Sequence, residues 1–343
     1  LPKKGILYKE NGKVINTGKE DFIQNLDDIP YPAYDIIDFT PYFTKGQRED
    51  AGEIGRPRAF PYANIMTSRG CPNGCCFCAV ESIMGKKPRF RSVENIMGEI
   101  DLLVNNYGIK FLHISDDNML TDKKRAKNLF KTIADRNYDL TWDAPALAVF
   151  MLDEEMIDLM KKSGCEYVDI AIESGCERVL KQIIHKPLDL EYSKKMIKKL
   201  KEYDIDIAAN FVIGFPDETW DEIRQSVKVA EEIDVDWVKF NIATPLPNTR
   251  LYKEAQEKNC LVSGFSFDNN SIFANRGWIK TKEFSPVDLM VLRAYEWDRI
   301  NFATPKKREK IASMMGVTQE KLNQIRKETL QNARKSLAEI LND

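Results

Sequence analysis

Residues Ala63 to Cys78 read ANIMTSRGCPNGCCFC, an apolar run that leads straight into four cysteines within eight residues. A short apolar run that stops at a glycine suits a buried strand. The loop behind it carries Cys71, Cys75 and Cys78 as C-x3-C-x2-C, with Cys76 as a spare that packs. Gly70 and Gly74 let such a loop fold back, so the spaced thiols can converge on one soft metal centre. A structural zinc site usually takes four protein ligands. Three sulfurs with no neighbouring fourth fit a [4Fe–4S] cluster better, one iron being left open to a small molecule. The competing reading is zinc completed from a distance by His113, Cys165 or Cys176.

Outward from this stretch the same apolar rhythm recurs. Runs at Ala63–Thr67, Lys110–Ser115, Leu140–Ala144, Tyr167–Ile172, Ile207–Ile213 and Trp237–Ala243 alternate with helix-period segments. Ser92 reads as an N-cap, and Val93, Ile96, Met97, Ile100, Leu103 and Val104 share one face before Gly108. Asp153–Lys162, Glu191–Tyr203 and Asp217–Asp234 repeat the pattern. Strands that each lead into a helix imply a parallel sheet with right-handed crossovers. Six units predict an α/β fold, a partial (β/α)6 TIM-like barrel whose functional loops lie at the C-terminal strand ends. Tyr62, Trp142, Trp237 and Phe240 are expected to pack this barrel, with Trp142 a candidate cavity wall.

At the N-terminal side, Gly5–Ile15 reads as a hairpin turning at Asn11-Gly12. Pro30 and Pro32 predict an extended connector over Leu26–Pro32, and Thr44–Arg58 reads as a loop. Beyond Pro247, Pro286–Asn301 and Val317–Leu341 look helical. The expected division is 1–55 hairpin and connector, 56–252 barrel core, and 253–343 C-terminal helical extension. From Ala303 onward nine Lys/Arg face five Asp/Glu, which suits a solvated helical cap.

Composition narrows the function. The 343 residues are 43% hydrophobic and 30% charged, enough apolar material for a core. Fifty-one Lys+Arg against 53 Asp+Glu give a net charge of −2, so nucleic acid is not an expected partner. Apolar runs fall far short of the roughly 20 residues a membrane-spanning helix needs. Seven cysteines, an odd number with one tight cluster, do not form a disulfide framework. With no export signal at the opening, the expectation is a reduced, cytoplasmic protein.

The C-x3-C-x-Phe-C signature after a first strand resembles that of the radical S-adenosylmethionine (radical SAM) superfamily, over roughly Tyr62 to Tyr252. The resemblance implies that Cys71, Cys75 and Cys78 ligate three irons of a [4Fe–4S] cluster. S-adenosylmethionine then chelates the fourth, with Phe77 near its adenine. The reduced cluster would cleave the sulfonium to a 5′-deoxyadenosyl radical that takes hydrogen from an unactivated carbon. Later strand ends are expected to hold the cosubstrate. Ser115, Asp116 and Asp117 stand where the family has a Gly-Gly-Glu-like segment for the methionyl amine. Glu173 and Ser174 match a segment that meets ribose and carboxylate. Ile213 and Gly214 lie in a Gly-x-Ile-x-Gly-x-x-Glu-like region, and Thr244 and Pro245 lie at the adenine edge. His113 reads as a core histidine and His185 as structural.

The opening GILYKENGKVI…LDDIPYPAYD, with IESG, GFPDET and TPLPNTRLY, resembles the cobalamin-associated branch of that superfamily. The resemblance implies a class B-like methyltransferase, with cobalamin bound by a domain outside this chain; no Asp-x-His-x-x-Gly signature occurs here. The chain then reads as the C-terminal part of a longer enzyme, or a relative that lost the domain. The alternatives are a cobalamin-independent rearrangement or oxidation enzyme, and a non-catalytic metal-binding module. Expected partners are a small-molecule or lipid-like substrate and a one-electron reductant of flavodoxin or ferredoxin type.

Overall fold

A computed structural model describes residues 4–36, 38, 58–267 and 277–341, with the backbone alone from 336. The expected loop Thr44–Arg58 therefore lies outside the described residues, Arg58 excepted. Strands β1 (Leu7–Glu10) and β2 (Lys13–Asn16) pair antiparallel. Asn11 and Gly12 carry φ of 48° and 80°, as a two-residue I′ hairpin turn requires. The connector is not extended throughout: Leu26–Asp28 forms one 3-10 turn, because Asn25 accepts from the Asp27 N–H before the prolines intervene.

The next strands are β3 (Tyr62–Ile65) and β4 (Ser68–Arg69), followed by the short α1 (Val80–Ile83) and β5 (Arg89–Phe90). The first apolar run is thus split. Its strand ends at Ile65, and Ser68 pairs antiparallel with Phe90 instead. The array continues with α2 (Val93–Tyr107), β6 (Phe111–Ile114), α3 (Lys123–Arg136) and β7 (Thr141–Leu147). Then come α4 (Glu154–Lys162), β8 (Cys165–Glu173), α5 (Leu190–Glu202) and β9 (Asp206–Ile213). It closes with α6 (Trp220–Glu232), β10 (Trp237–Ile242) and α7 (Arg250–Glu257). α6 begins three residues later than the Asp217 of the sequence reading, because Thr219 supplies the cap.

Strand order is β3-β6-β7-β8-β9-β10, every neighbouring pair parallel, so the sheet is open at both edges and forms a partial barrel. Capping explains where the crossover helices begin. Ser92, Asp122, Asp153, Asp189, Thr219 and Thr249 each accept a backbone N–H three residues on, at about 1 kcal/mol apiece.

Three more helices follow, α8 (Pro286–Asn301), α9 (Pro305–Met315) and α10 (Gln319–Leu341). α9 is absent from the sequence reading. Its signal was Thr304-Pro305, an N-cap followed by proline at the first helical position. α8 covers the β10 edge. The Asn301 amide accepts from Val238 N (2.7 Å) and donates to Val238 O (2.9 Å), as a neighbouring strand would.

One sheet face packs on the crossover helices. Trp142 belongs there and not to a cavity: it is fully buried, stacks on Phe130 at 5.0 Å and donates to Ser163 O. The other face is concave. At its N-terminal end Tyr167, Ala208 and Trp237 pack against Phe302, Ile311, Met315 and Leu322 of the helical extension. Lys310 bridges Asp206 and Asp236 beside this plug, and Arg58 also pairs with Asp206.

Candidate active site

The C-terminal end of the same face is open. A cavity of ≈ 270 Å³ lies there, walled by Phe77, Ala171, Val212, Ile242 and Leu246, with Asp169, Glu173, Asn210, Asn241 and Thr244 among them. Strand alternation aims these polar residues inward. Lys239 donates to Asp169 at 2.5 Å, Asn210 also donates to Asp169, and Asn241 donates to Asn210 at 3.3 Å. Burial raises the Asp169 pKa, and Lys239 opposes that shift.

The cysteine loop begins where β4 ends. Gly70 has φ +91°, and a Cβ there would stand 2.8 Å from Gly85 O, so this position admits glycine alone without rearrangement. Its N–H donates to Asp117 Oδ2 at 2.7 Å. Cys71 N donates to Gly85 O, Cys76 N to Ile184 O, and Leu251 N to Cys76 O, so three segments hold the loop. Ile184 closes a π-helical turn, Val179–Ile184. Cys76 is 1% exposed and lies in the main core.

All seven cysteines are free thiols. Burial pushes the Cys75 thiol up to about 11, with Lys186 opposing and Glu173, Cys78 and Cys71 adding to it. Burial likewise raises Cys78, again with Cys71 in its field. The three spaced thiols therefore sense one another, whereas among the cysteines Cys76 senses Cys75. Among the described residues no three His, Cys, Asp or Glu side chains are set to hold one ion. Three thiolates on one zinc stand about 3.8 Å apart, given bonds of roughly 2.3 Å in a tetrahedron. An iron–sulfur cube takes each cysteine on a different iron and accepts a wider triangle. Three spaced thiols without a free fourth protein ligand suit a cluster with one open iron better than a four-coordinate structural zinc. The distant zinc candidates are engaged elsewhere: Cys165 with Tyr167 O, Cys176 with Glu222, and His113 with Asp143.

The other sequence-predicted residues divide. Asp116 is not available to an amine. It is 4% exposed and accepts from Thr67 N, Thr67 Oγ1 and Ser68 Oγ at 2.5–2.6 Å, tying the end of β6 to the start of β4. Ser115 and Asp117 stay partly exposed beside the loop. Asn118, next in sequence, is buried, with its amide 4.0 Å from Cys71 Sγ and its Oδ1 without a partner. Ser174 is likewise engaged within the fold. It is fully buried, and its hydroxyl contacts Ser226 Oγ and accepts from Cys176 N, which fastens the turn to α6. Glu173 does face the cavity, at a strained φ of +71°, and pairs with buried Lys186 at 2.9 Å.

Ile213 is buried, and its carbonyl accepts from Ala243 N. Gly214 N and Phe215 N both donate to Glu218 Oε2. Burial raises Glu218 to about 8 despite these donors, and its Oε1 has no partner. Thr244 borders the cavity; Pro245 is buried beside it. Lys186, Asn118 and the Asp169–Lys239 pair were missed as site residues. For Asp169 and Lys239 the available signal was polarity at alternate positions of otherwise apolar strands; Asn118 and Lys186 lie in loops and carried no such signal.

His113 Nδ1 approaches Asp143 Oδ1 to 2.7 Å, yet neither Asp143 oxygen has an aligned hydrogen bond, so the contact is electrostatic. No helix among the described residues is long and apolar enough to cross a membrane.

The sequence pattern of the Radical SAM superfamily matches residues 65–230. A Pyrococcus horikoshii protein named as an uncharacterized methyltransferase is 37% identical over 259 residues, covering 76% of this chain and 53% of its own. The cytidylyl-2-hydroxyethylphosphonate methyltransferase of Streptomyces wedmorensis is 34% identical over 255 residues, covering 72% and 46%. The chain thus spans about half the length of these curated relatives. Among solved structures, the radical S-adenosylmethionine methyltransferase TsrM from Kitasatospora setae, with cobalamin and a [4Fe–4S] cluster bound, superposes with a TM-score of 0.61. It shares 17% identity over 83% of this chain and 64% of that one. The cobalamin-dependent enzyme OxsB gives 0.64 at 14% identity over 99% and 55%. At such identities the likeness is one of fold.

Proposed function

The chain belongs to the radical SAM superfamily, and from that premise we propose that it is the catalytic core of a methyltransferase acting on an unactivated carbon, with cobalamin as methyl carrier. The observation that carries this reading is the C-x3-C-x2-C loop that follows β4, with its Phe77 walling the strand-end cavity. A [4Fe–4S] cluster held by that loop would supply one-electron chemistry toward S-adenosylmethionine and so a 5′-deoxyadenosyl radical.

The chain's own residues then have distinct tasks. Cys71, Cys75 and Cys78 would hold three irons, and each would give up its proton on ligation, so assembly would be favoured as pH rises. Phe77, Val212, Ile242 and Leu246 offer flat apolar walls to an adenine and exclude water. Ser115 and Asp117 offer acceptors to an ammonium, and Lys186 with Glu173 offers both a cation and an acceptor to carboxylate and ribose groups. Thr244 and the backbone about Gly214 line the adenine side. Asp169, Lys239, Asn210 and Asn241 present hydrogen-bonding groups further down, which suits a polar small molecule better than a lipid-like one.

A one-electron reductant of flavodoxin or ferredoxin type is required. Seven free thiols and an oxygen-labile cluster suit the cytoplasm. The division at 55 and 252 stands as part of this proposal.

Anaerobic reconstitution tests the reading. This chain with a chemical reductant and S-adenosylmethionine should release 5′-deoxyadenosine, and a longer protein that carries the cobalamin-binding domain should bind added corrinoid, read as an absorbance change. Mössbauer spectra without a cubane, or no 5′-deoxyadenosine, would sink it. Cleavage without corrinoid binding by that longer protein would leave a radical SAM enzyme that is not of the cobalamin branch.

A further inference from the structure

Behind the cysteine loop lies a second opening, a cleft of ≈ 660 Å³ bordered by Cys75, Cys78, Lys86, His185, Arg250 and Lys253. It shares no lining residue with the strand-end cavity. The loop is the partition between them: Phe77 borders the cavity, and its neighbours Cys76 and Cys78 border the cleft. The cleft is cationic. Glu81 is the one acidic side chain in its lining, against Lys86, Arg250 and Lys253.

Part of the surface charge elsewhere is neutralised. Lys127, Lys194, Lys310 and Arg299 are each held by carboxylates. Lys86 and Lys253 have no ion-pair partner among the described residues, and Arg250 reaches Gly74 O. Lys19 adds charge at the rim, where its amine donates to Ser82 O at 3.3 Å. Beside them Ile83 is 64% exposed on the short helix α1. Unpaired cations around an exposed aliphatic residue are the composition of a transient, charge-steered protein interface. With a net charge of −2 overall, this local excess is a property of the place and not of the chain.

We propose that this cleft is the docking surface for an acidic one-electron carrier protein, which Lys86 and Lys253 attract and which delivers its electron across the cysteine loop. The proposal rests on the radical SAM reading, which requires a donor. Electron transfer falls steeply with distance, so the donor must meet the surface where the ligating cysteines reach it. The lumen side cannot serve while the cosubstrate occupies it. In the exchange the carrier loses one electron and the cluster gains one; no proton or group moves.

The test compares wild type with the K86E/K253E variant, both reconstituted anaerobically. Cluster bleaching is followed by stopped-flow absorbance with reduced flavodoxin and, separately, with photoreduced deazaflavin, a small uncharged reductant. Flavodoxin-driven bleaching should slow by about 10- to 100-fold at low ionic strength, with the gap closing as salt is raised. The deazaflavin rate should not change. An unchanged flavodoxin rate overturns the proposal. So does an equal loss with both reductants, since the lysines would then serve the loop itself. Failure of the functional reading is distinct: wild-type protein would bleach normally yet release no 5′-deoxyadenosine.

Discussion

The two ends of the concave sheet face are built from the same strands and solve opposite problems. At the N-terminal end Trp237 meets Trp297 and Phe302 edge-on at 5.5 and 6.0 Å, and Asp206 is saturated by Arg58 and Lys310. Tyr167 Oη and, on neighbouring β7, Thr141 Oγ1 and the Asp143 carboxylate lack hydrogen-bond partners even so. At the C-terminal end Glu173 is strained, Asn118 Oδ1 and Glu218 Oε1 are buried without partners, and burial pushes up the pKa of the free thiols Cys75 and Cys78. The plug holds the barrel; the rim is held ready for something else.

Four substitutions probe that contrast. The largest effect is expected from Cys75→Ala, which should abolish both iron–sulfur absorbance and 5′-deoxyadenosine release while the far-ultraviolet circular dichroism is retained. Cleavage that survives would remove Cys75 from the ligand set.

Next is Trp237→Ala at the opposite end, expected to cost about 3–5 kcal/mol in urea unfolding. The folded fraction should still take up iron normally. If iron uptake fell in proportion to a local change and not to unfolding, the two ends would not be independent.

Lys186→Met leaves Glu173 buried without its cation. Equilibrium binding should show S-adenosylmethionine affinity down about 10- to 100-fold, the worth of a lost charged contact. Stability should fall too, and the double variant Glu173→Gln/Lys186→Met should recover the stability without the affinity. Recovery of both would make the pair purely structural.

The smallest effect concerns Glu218. Burial lifts its carboxyl from an ordinary 4.5 to about 8 in the folded chain. The folded state therefore binds a proton that the unfolded chain has released. Its contribution is full below about 4.5 and is lost as pH rises through about 8. Glu218→Gln should flatten that part of the stability–pH curve, measured as unfolding midpoints between pH 5 and 8.5. An unaltered slope would assign the dependence to other buried acids, such as Asp116, Asp143 or Asp169, whose pKa values burial also raises.

Much of the scaffold was legible before any coordinates. All six strands of the sheet begin within two residues of their apolar runs, and Ser92 and Gly108 bound α2 as read. Strand and helix periodicity is a property of neighbours in sequence, and so are caps. α9 escaped because its apolar stripe is weak and its Thr-Pro start is the main cue. The strand-end rule likewise brought Phe77, Glu173 and Thr244 to one cavity. It could not tell Asp116 from Asp117, although they are adjacent and carry the same side chain.

What the sequence determined by itself was the architecture and the identity of the sulfur ligands to test, because both follow from short-range spacing. Which polar groups remain free for a ligand was decided only by the tertiary structure. A side chain is spent when a partner arrives from elsewhere in the chain. Asp116 receives Ser68 from 48 residues away, Ser174 meets Ser226 from 52, and Glu173 meets Lys186 from 13. Hydrogen bonds and ion pairs act over a few ångströms, and only folding brings such residues that close.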